Sequence, residues 1–216
     1  MTLTYIGHAC FLVTADNGLR ILVDPFQPWA FGGRIGITPF EEEVDVVAST
    51  HAHADHFHLD TSFGSPEVIR GTGNACGIEF LGLELPHGAE PGHDEGTVTG
   101  LRFEVDGVSI FHPGDIGRPP TQPEAEWIMP LDVLLLPVGG TFTIGPHDAM
   151  RTISALRPAV AVPMHYRTER VDLRIAPLDD FLTLAPDYVR AVRQPVRLVK
   201  HKLPQPTRVL VMDPTH

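Results

Sequence analysis

The sequence predicts a layered α/β sandwich made mostly of strands. Three observations carry that expectation: short apolar runs rich in β-branched residues recur, hairpin-type turns separate several of them, and helical periodicity arrives late. A doubly wound parallel sheet would need a helix between successive strands, and the chain has no internal repeat.

In chain order, strands are expected at residues 10–13, 19–23, 44–48, 78–85, 98–105, 108–111 and 133–138. Asp16-Asn17-Gly18 and Asp106-Gly107 supply hairpin turns, so much of the sheet should pair antiparallel. Pro146 starts a helix over 146–157, where Ala149, Met150, Ile153 and Leu156 follow a helical period. A strand at 159–162 follows, then a helix over 177–192 interrupted by Pro186, and final strands at 196–199 and 208–212. The Gly- and Pro-rich stretch 27–40, holding Trp29, Phe31 and Arg34, reads as a loop that helps line a pocket.

A chain of 216 residues buries one substantial core, so residues 1–216 are expected to form a single domain. With 43% hydrophobic and 20% charged residues and no run of 18 apolar positions, a membrane span is not expected. No secretory signal is visible, which makes cytoplasmic residence the expectation. The net charge of -11, with no basic stripe, opposes a nucleic-acid-binding face. Glu41-Glu42-Glu43 reads as a solvated turn. Cys10 and Cys76, without a Cys-X-X-Cys pair, are expected to be buried small side chains.

Chemistry concentrates in His51-Ala52-His53-Ala54-Asp55-His56, directly after an apolar strand. Neutral imidazole and carboxylate are the donors that borderline divalent metals accept, and these spacings let one loop close around one or two ions. A composition with 12 His gives roughly 0.0025 chance matches to such a motif, so a metal site is the better reading than a solvated His-rich loop. Two ions need more donors than one loop supplies, and Asp24, His87, Asp115 and His165 each follow an apolar run.

Taken in order, Asp24, the His51–His56 motif, His87, Gly114-Asp115 and His165 resemble the metallo-β-lactamase superfamily of metal-dependent hydrolases. Ile6-Gly7-His8-Ala9-Cys10-Phe11, Phe111-His112-Pro113-Gly114-Asp115 and Pro163-Met164-His165-Tyr166 resemble its L-ascorbate-6-phosphate lactonase-like branch. The resemblance implies a four-layer αββα sandwich, two mixed sheets with helices outside and metals at one edge. It places one ion on His51, His53 and His87, a second on Asp55, His56 and His165, and Asp115 between them.

The implied activity is hydrolysis of a small anionic ester, lactone or phosphodiester by a metal-bound hydroxide, with Asp55 orienting the nucleophile and passing a proton. Counting charges leaves roughly +1 on such a centre, which would draw an anion. Asp24 and His8 are expected to orient ligands through hydrogen bonds. Without thiolates, Zn2+ or Mn2+ come first, with Fe, Co or Ni also compatible. An iron-dependent thiol or persulfide oxidoreductase on the same fold and a non-catalytic metal-binding module are the rival readings. A homo-oligomer is left open.

Among the other histidines, His93 competes with His87, and His58 and His112 are expected to be structural. His147 is balanced between a turn and a substrate-facing rim, and His201 and His216 are expected at the surface. Arg167 is balanced between a surface ion pair and a substrate anion. Ile116 stands where many family members carry Thr, which bears on substrate contacts more than on metal binding. The segment 167–175 has no lactonase-specific signature, so ascorbate 6-phosphate is not the expected substrate.

Overall fold

Near-continuous burial along the N-terminal strands requires two apolar layers, one on each face of the sheet they form. The chain, seen in a computed structural model that describes residues 1–88, 96–191 and 193–216, begins with β1 (Thr2–Gly7), β2 (Cys10–Thr14) and β3 (Arg20–Val23). The strands β4 (Val46–Ala48), β5 (Glu67–Ile69), β6 (Gly73–Ala75), β7 (Ile78–Pro86), β8 (Thr97–Val105) and β9 (Val108–His112) follow. The last five are β10 (Val133–Pro137), β11 (Val160–Met164), β12 (Val189–Arg190), β13 (Val196–Arg197) and β14 (Arg208–Val211).

They form two mixed sheets, a six-stranded one ordered β13-β1-β2-β3-β4-β5 and an eight-stranded one ordered β12-β14-β11-β10-β9-β8-β7-β6. Both expected hairpins are present: β2 pairs antiparallel with β3, and β8 with β9. At the second hairpin Asp106 and Gly107 both have positive φ, 51° and 74°, as a two-residue turn matching strand twist requires.

Tyr5, Phe11, Val13, Ile21, Val23, Val46 and Ala48 join one cluster with Phe80, Phe103 and Phe111 of the larger sheet. Their alternates Ile6, Cys10, Leu12, Leu22 and Val47 join a second cluster with Phe26, Ile35, Phe40, Val171 and Leu173. The outer face of the smaller sheet is therefore covered chiefly by two loops.

Helical cover over the larger sheet comes from α2 (Gln122–Ile128), α3 (Pro146–Leu156) and α4 (Leu178–Leu182), whose buried faces enter the first cluster. Ahead of them, α1 (Ala30–Gly33) is a single turn with left-handed residues inside it. In α3, Pro146 opens the first turn and Ala149, Ile153 and Leu156 are buried, the expected stripe.

Three expectations are corrected. The helix expected over 177–192 stops at Leu182, because Pro186 forbids its continuation, and β12 occupies residues 189–190. Cys76 is exposed, at the left-handed corner between β6 and β7 (φ 48°), whereas Cys10 is buried. His216 is half-buried, 5.9 Å from the Phe40 ring. The α2 helix had no expectation. Its signal was local: Thr121 precedes it and donates its backbone N–H to the Glu124 carboxylate, half of a capping box.

Strand direction places the site. β1, β3 and β4 run parallel to one another in the smaller sheet, as do β7, β9 and β11 in the larger, and the candidate residues follow all six carboxyl ends. His165 donates its backbone N–H to His8 O at 2.8 Å, tying the two sheets at that edge. Among the described residues, no helix is long and apolar enough to cross a membrane.

Candidate metal centre

The loop after β4 is shaped by its own backbone. Ser49 Oγ donates to the carbonyls of His51 (2.8 Å) and His56 (3.1 Å), and His56 N–H reaches His53 O at 2.9 Å. Two compact donor groups result: His51 with His53 and His87, and Asp55 with His56, His165 and His8, with the donor atoms of each group within 4.8 Å of one another. The groups adjoin, since the His51 and His56 ring centroids are 4.3 Å apart. Asp115 presents Oδ1 to His56 Nε2 at 3.1 Å and Oδ2 to His165 Nε2 at 3.3 Å.

Asp24, fully buried, organises the donors from behind. Its Oδ1 accepts Thr50 N–H at 2.8 Å, and its Oδ2 accepts Thr50 Oγ1–H and His56 Nδ1–H, both at 2.7 Å. With its proton committed to Asp24, Thr50 Oγ1 is left to accept from His51 Nδ1–H at 3.0 Å. One carboxylate thus fixes the tautomer of two imidazoles, directly for His56 and through Thr50 for His51, and leaves both Nε2 lone pairs facing the site. Thr50 is the residue that motif reading missed, since a Thr beside a His has no distinctive spacing.

His8 is buried, and its Nε2 lies 3.0 Å from Asp55 Oδ2. Burial first, and the facing His165 second, lower its pKa to about 4, so it is neutral and donates Nε2–H to the carboxylate. Burial and the neighbouring His56 likewise lower His51 to about 3, which keeps it a neutral donor. For His56 burial works against the charge, yet Asp115, Asp55 and Asp24 outweigh it and raise its pKa well above the ordinary value. Three carboxylates around one sealed imidazole call for positive charge at that point.

That demand is the test of whether metal fits. His56 Nε2 and Asp115 Oδ1 are close but make no hydrogen bond, as two lone-pair donors aimed at a common cation would be. Asp55 Oδ1 is also buried, with no hydrogen bond among the described residues. The donor set, five imidazoles and two carboxylates with no thiol, suits borderline divalent ions.

Backbone strain gathers at the same place. His8, Asp24 and His165 all sit in the left-handed region, with φ of 55°, 48° and 52°. Gly114 (φ 63°) lies so close to Thr50 that a Cβ there would stand 2.7 Å from Thr50 Oγ1, and a Cβ on Gly139 would stand 2.2 Å from His165 O. Ile116, where Thr was the commoner expectation, is buried in the core and forms a backbone bridge with His87. It serves packing and positions His87.

The donors open onto a cavity of about 310 Å³ lined by His53, Asp55, His87, Asp115 and His165. Phe31, Arg34, Ala54, Phe142 and Leu173 complete the lining, so the loop 27–40 does line the pocket. Arg167 and His147 are exposed and do not line it. His112 is structural: its Nε2–H donates to Ala9 O at 2.9 Å and its Nδ1 accepts Gly114 N–H at 3.1 Å. His58 sits 3.7 Å from Asp60, outside both donor groups. His201 is exposed, and His93 lies outside the described residues.

Two mixed sheets under helices, with a His-X-His-X-Asp-His loop at one edge, define the metallo-β-lactamase type of sandwich. The sequence profile of the beta-lactamase superfamily domain matches residues 2–165. A UPF0173 metal-dependent hydrolase of Methanoculleus marisnigri is 33% identical over 193 residues, covering 78% of this chain and 82% of its own. The crystal structure of a metallo-beta-lactamase superfamily protein from Thermotoga maritima is similar at TM-score 0.77 and 33% identity, over 98% of this chain and 97% of that one. Igni18, a metallo hydrolase from Ignicoccus hospitalis, gives TM-score 0.65 and 26% identity over 99% and 95%. The chain belongs to the beta-lactamase superfamily, among the UPF0173 metal-dependent hydrolases.

Proposed function

We propose that the chain is a dinuclear metal-dependent hydrolase of a small anionic ester, lactone or phosphodiester. The observation that carries this reading is the pair of adjoining donor groups beside a substrate-sized cavity. His51, His53 and His87 would hold one ion, Asp55, His56 and His165 the other, and Asp115 both. Zn2+ or Mn2+ suits this set best, with Fe, Co or Ni compatible. Divalent ions bound there supply Lewis acidity, which lowers the pKa of water and polarises a carbonyl or phosphoryl oxygen.

The chain's own side chains do the rest. Asp24 and Thr50 hold the imidazoles of His56 and His51 in the donor tautomer, so neither ring has to reorganise during turnover. Asp55 is the acid-base group: His8 anchors its Oδ2, and Oδ1 makes no other hydrogen bond, which suits it to take a proton from attacking water and deliver it to the leaving oxygen. Burial of Asp55, Asp115 and His165 beside the cavity keeps bulk water from screening these charges.

A substrate panel tests the proposal. Lactones, carboxylate-bearing esters, thioesters, phosphodiesters and phosphorylated sugars are offered to the Zn- and Mn-loaded protein, with oxygen uptake followed in parallel. Turnover of an ester, lactone or phosphodiester, abolished by chelation, supports it. One iron per chain with oxygen consumption and no hydrolysis would instead identify an oxidoreductase. Metal binding with neither activity would leave a metal-binding module.

A further inference from the structure

The geometry points to Arg34 as the anion anchor of the cavity, and to a substrate in which an anionic group is carried on an apolar acyl or aryl body. This rests on the hydrolase reading above and narrows its substrate class to amphiphilic esters or lactones.

Among the described residues that line the cavity, Arg34 is the one Lys or Arg side chain. Arg34 is exposed, and its guanidinium makes no ion pair or hydrogen bond among the described residues; other exposed arginines such as Arg157 and Arg167 are also unpaired, but Arg34 is the arginine that lines the cavity. The backbone that carries it is nevertheless fixed. Asp172 N–H donates to Arg34 O at 2.9 Å, Gly36 N–H to Arg170 O at 2.7 Å, and Ile35 bridges Val171 with its side chain fully buried. At the other end of the loop, Gln27 N–H reaches Ala54 O, inside the metal loop, at 2.6 Å. Between these anchors Trp29, Phe31, Gly32 and Gly33 all take positive φ. A rigidly held rim with strained backbone and an unpaired guanidinium is built to meet something.

The remaining wall states what the rest of the substrate is. Phe31, Phe142, Leu173 and Ala54 offer it no side-chain hydrogen-bond partner, and Leu173 and Phe142 continue the second apolar cluster into the cavity. A sugar phosphate would satisfy Arg34 but bury hydroxyls against this wall without hydrogen-bond partners, which costs binding free energy. At about 310 Å³ the cavity is at the small end of ligand pockets, which suits a single ring or short acyl chain.

Binding, read without turnover, tests this. Phenylacetate, benzyl alcohol, acetate and glycerol phosphate are titrated calorimetrically into the metal-loaded full chain, as wild type and as the Arg34→Ala, Arg34→Lys and Phe142→Ala variants. Within each variant the ratio of two probe affinities is compared across variants as a double-mutant cycle.

The expected result is a phenylacetate preference over benzyl alcohol that falls about tenfold in R34A and is mostly kept in R34K. In F142A the phenylacetate preference over acetate falls while the charge preference stays. An unchanged charge preference in R34A, or glycerol phosphate binding wild type as tightly as phenylacetate, would overturn the assignment. The two readings fail separately: intact ratios without turnover of any ester count against the hydrolase and keep the anchor, whereas turnover with ratios insensitive to Arg34 does the reverse.

Discussion

His56 Nδ1 donates to Asp24 Oδ2 at 2.7 Å, with both side chains sealed from solvent. This bond, and the parallel route from Asp24 through Thr50 to His51, turns two imidazole lone pairs toward the candidate metal centre from behind.

Asp24→Asn keeps the shape and removes the charge. Because the amide no longer enforces Nδ1–H on His56, metal affinity should fall about 10- to 100-fold while the chain stays folded. Competition titration against a chelator of known affinity, with circular dichroism as the folding control, checks this.

Thr50→Val deletes the relay but keeps the volume. The expected outcome is selective weakening of the ion on His51, His53 and His87, by about tenfold, with Thr50→Ser restoring it. Stepwise metal titration distinguishes this from a general loss of affinity, which would place Thr50 in packing alone.

Gly114→Ala and Gly107→Ala separate crowding from backbone strain. Both glycines have positive φ, but a Cβ meets nothing within 4 Å at Gly107 and stands 2.7 Å from Thr50 Oγ1 at Gly114. Denaturant unfolding should give about 1 kcal/mol of destabilisation for Gly107→Ala and about 3 kcal/mol or more, with loss of metal, for Gly114→Ala.

A pH effect is expected away from the site. Arg118, with the Thr121 backbone N–H, pulls Glu124 from its ordinary 4.5 to about 2 against the opposing cost of burial. A depressed carboxylate contributes stability that is complete above its unfolded pKa and lost as pH falls through the folded one, so the window runs from 4.5 down to about 2. Arg118 is 42% exposed, so screening holds the contribution to about 0.5–1 kcal/mol. Glu124→Gln should lose that amount at pH 7 and converge with wild type near pH 2 in thermal unfolding.

The clustering of the His and Asp residues was legible because metal chemistry favours particular side chains at tight spacing, and the hairpins because their turn residues need positive φ. The site's support was harder to see. Thr50 has no signature of its own, and His8 reaches Asp55 only because β1 and β4 bring their carboxyl ends to the same edge of the smaller sheet. Arg34 could be placed on a pocket-lining loop but not at the cavity, since that depends on the bridge of its neighbour Ile35 to Val171. The exposed Cys76 and the truncated helix at Leu182 were missed because local turn geometry and Pro186 outweighed burial tendency and periodicity.

The central claim is most directly tested by returning metal to chelated wild-type protein in measured equivalents of Zn2+ or Mn2+ while hydrolysis is read in the same samples. The predicted result is activity that climbs with bound metal and saturates at two ions per chain. Saturation at one ion, or two ions bound with no hydrolysis of any ester, lactone or phosphodiester, would contradict it.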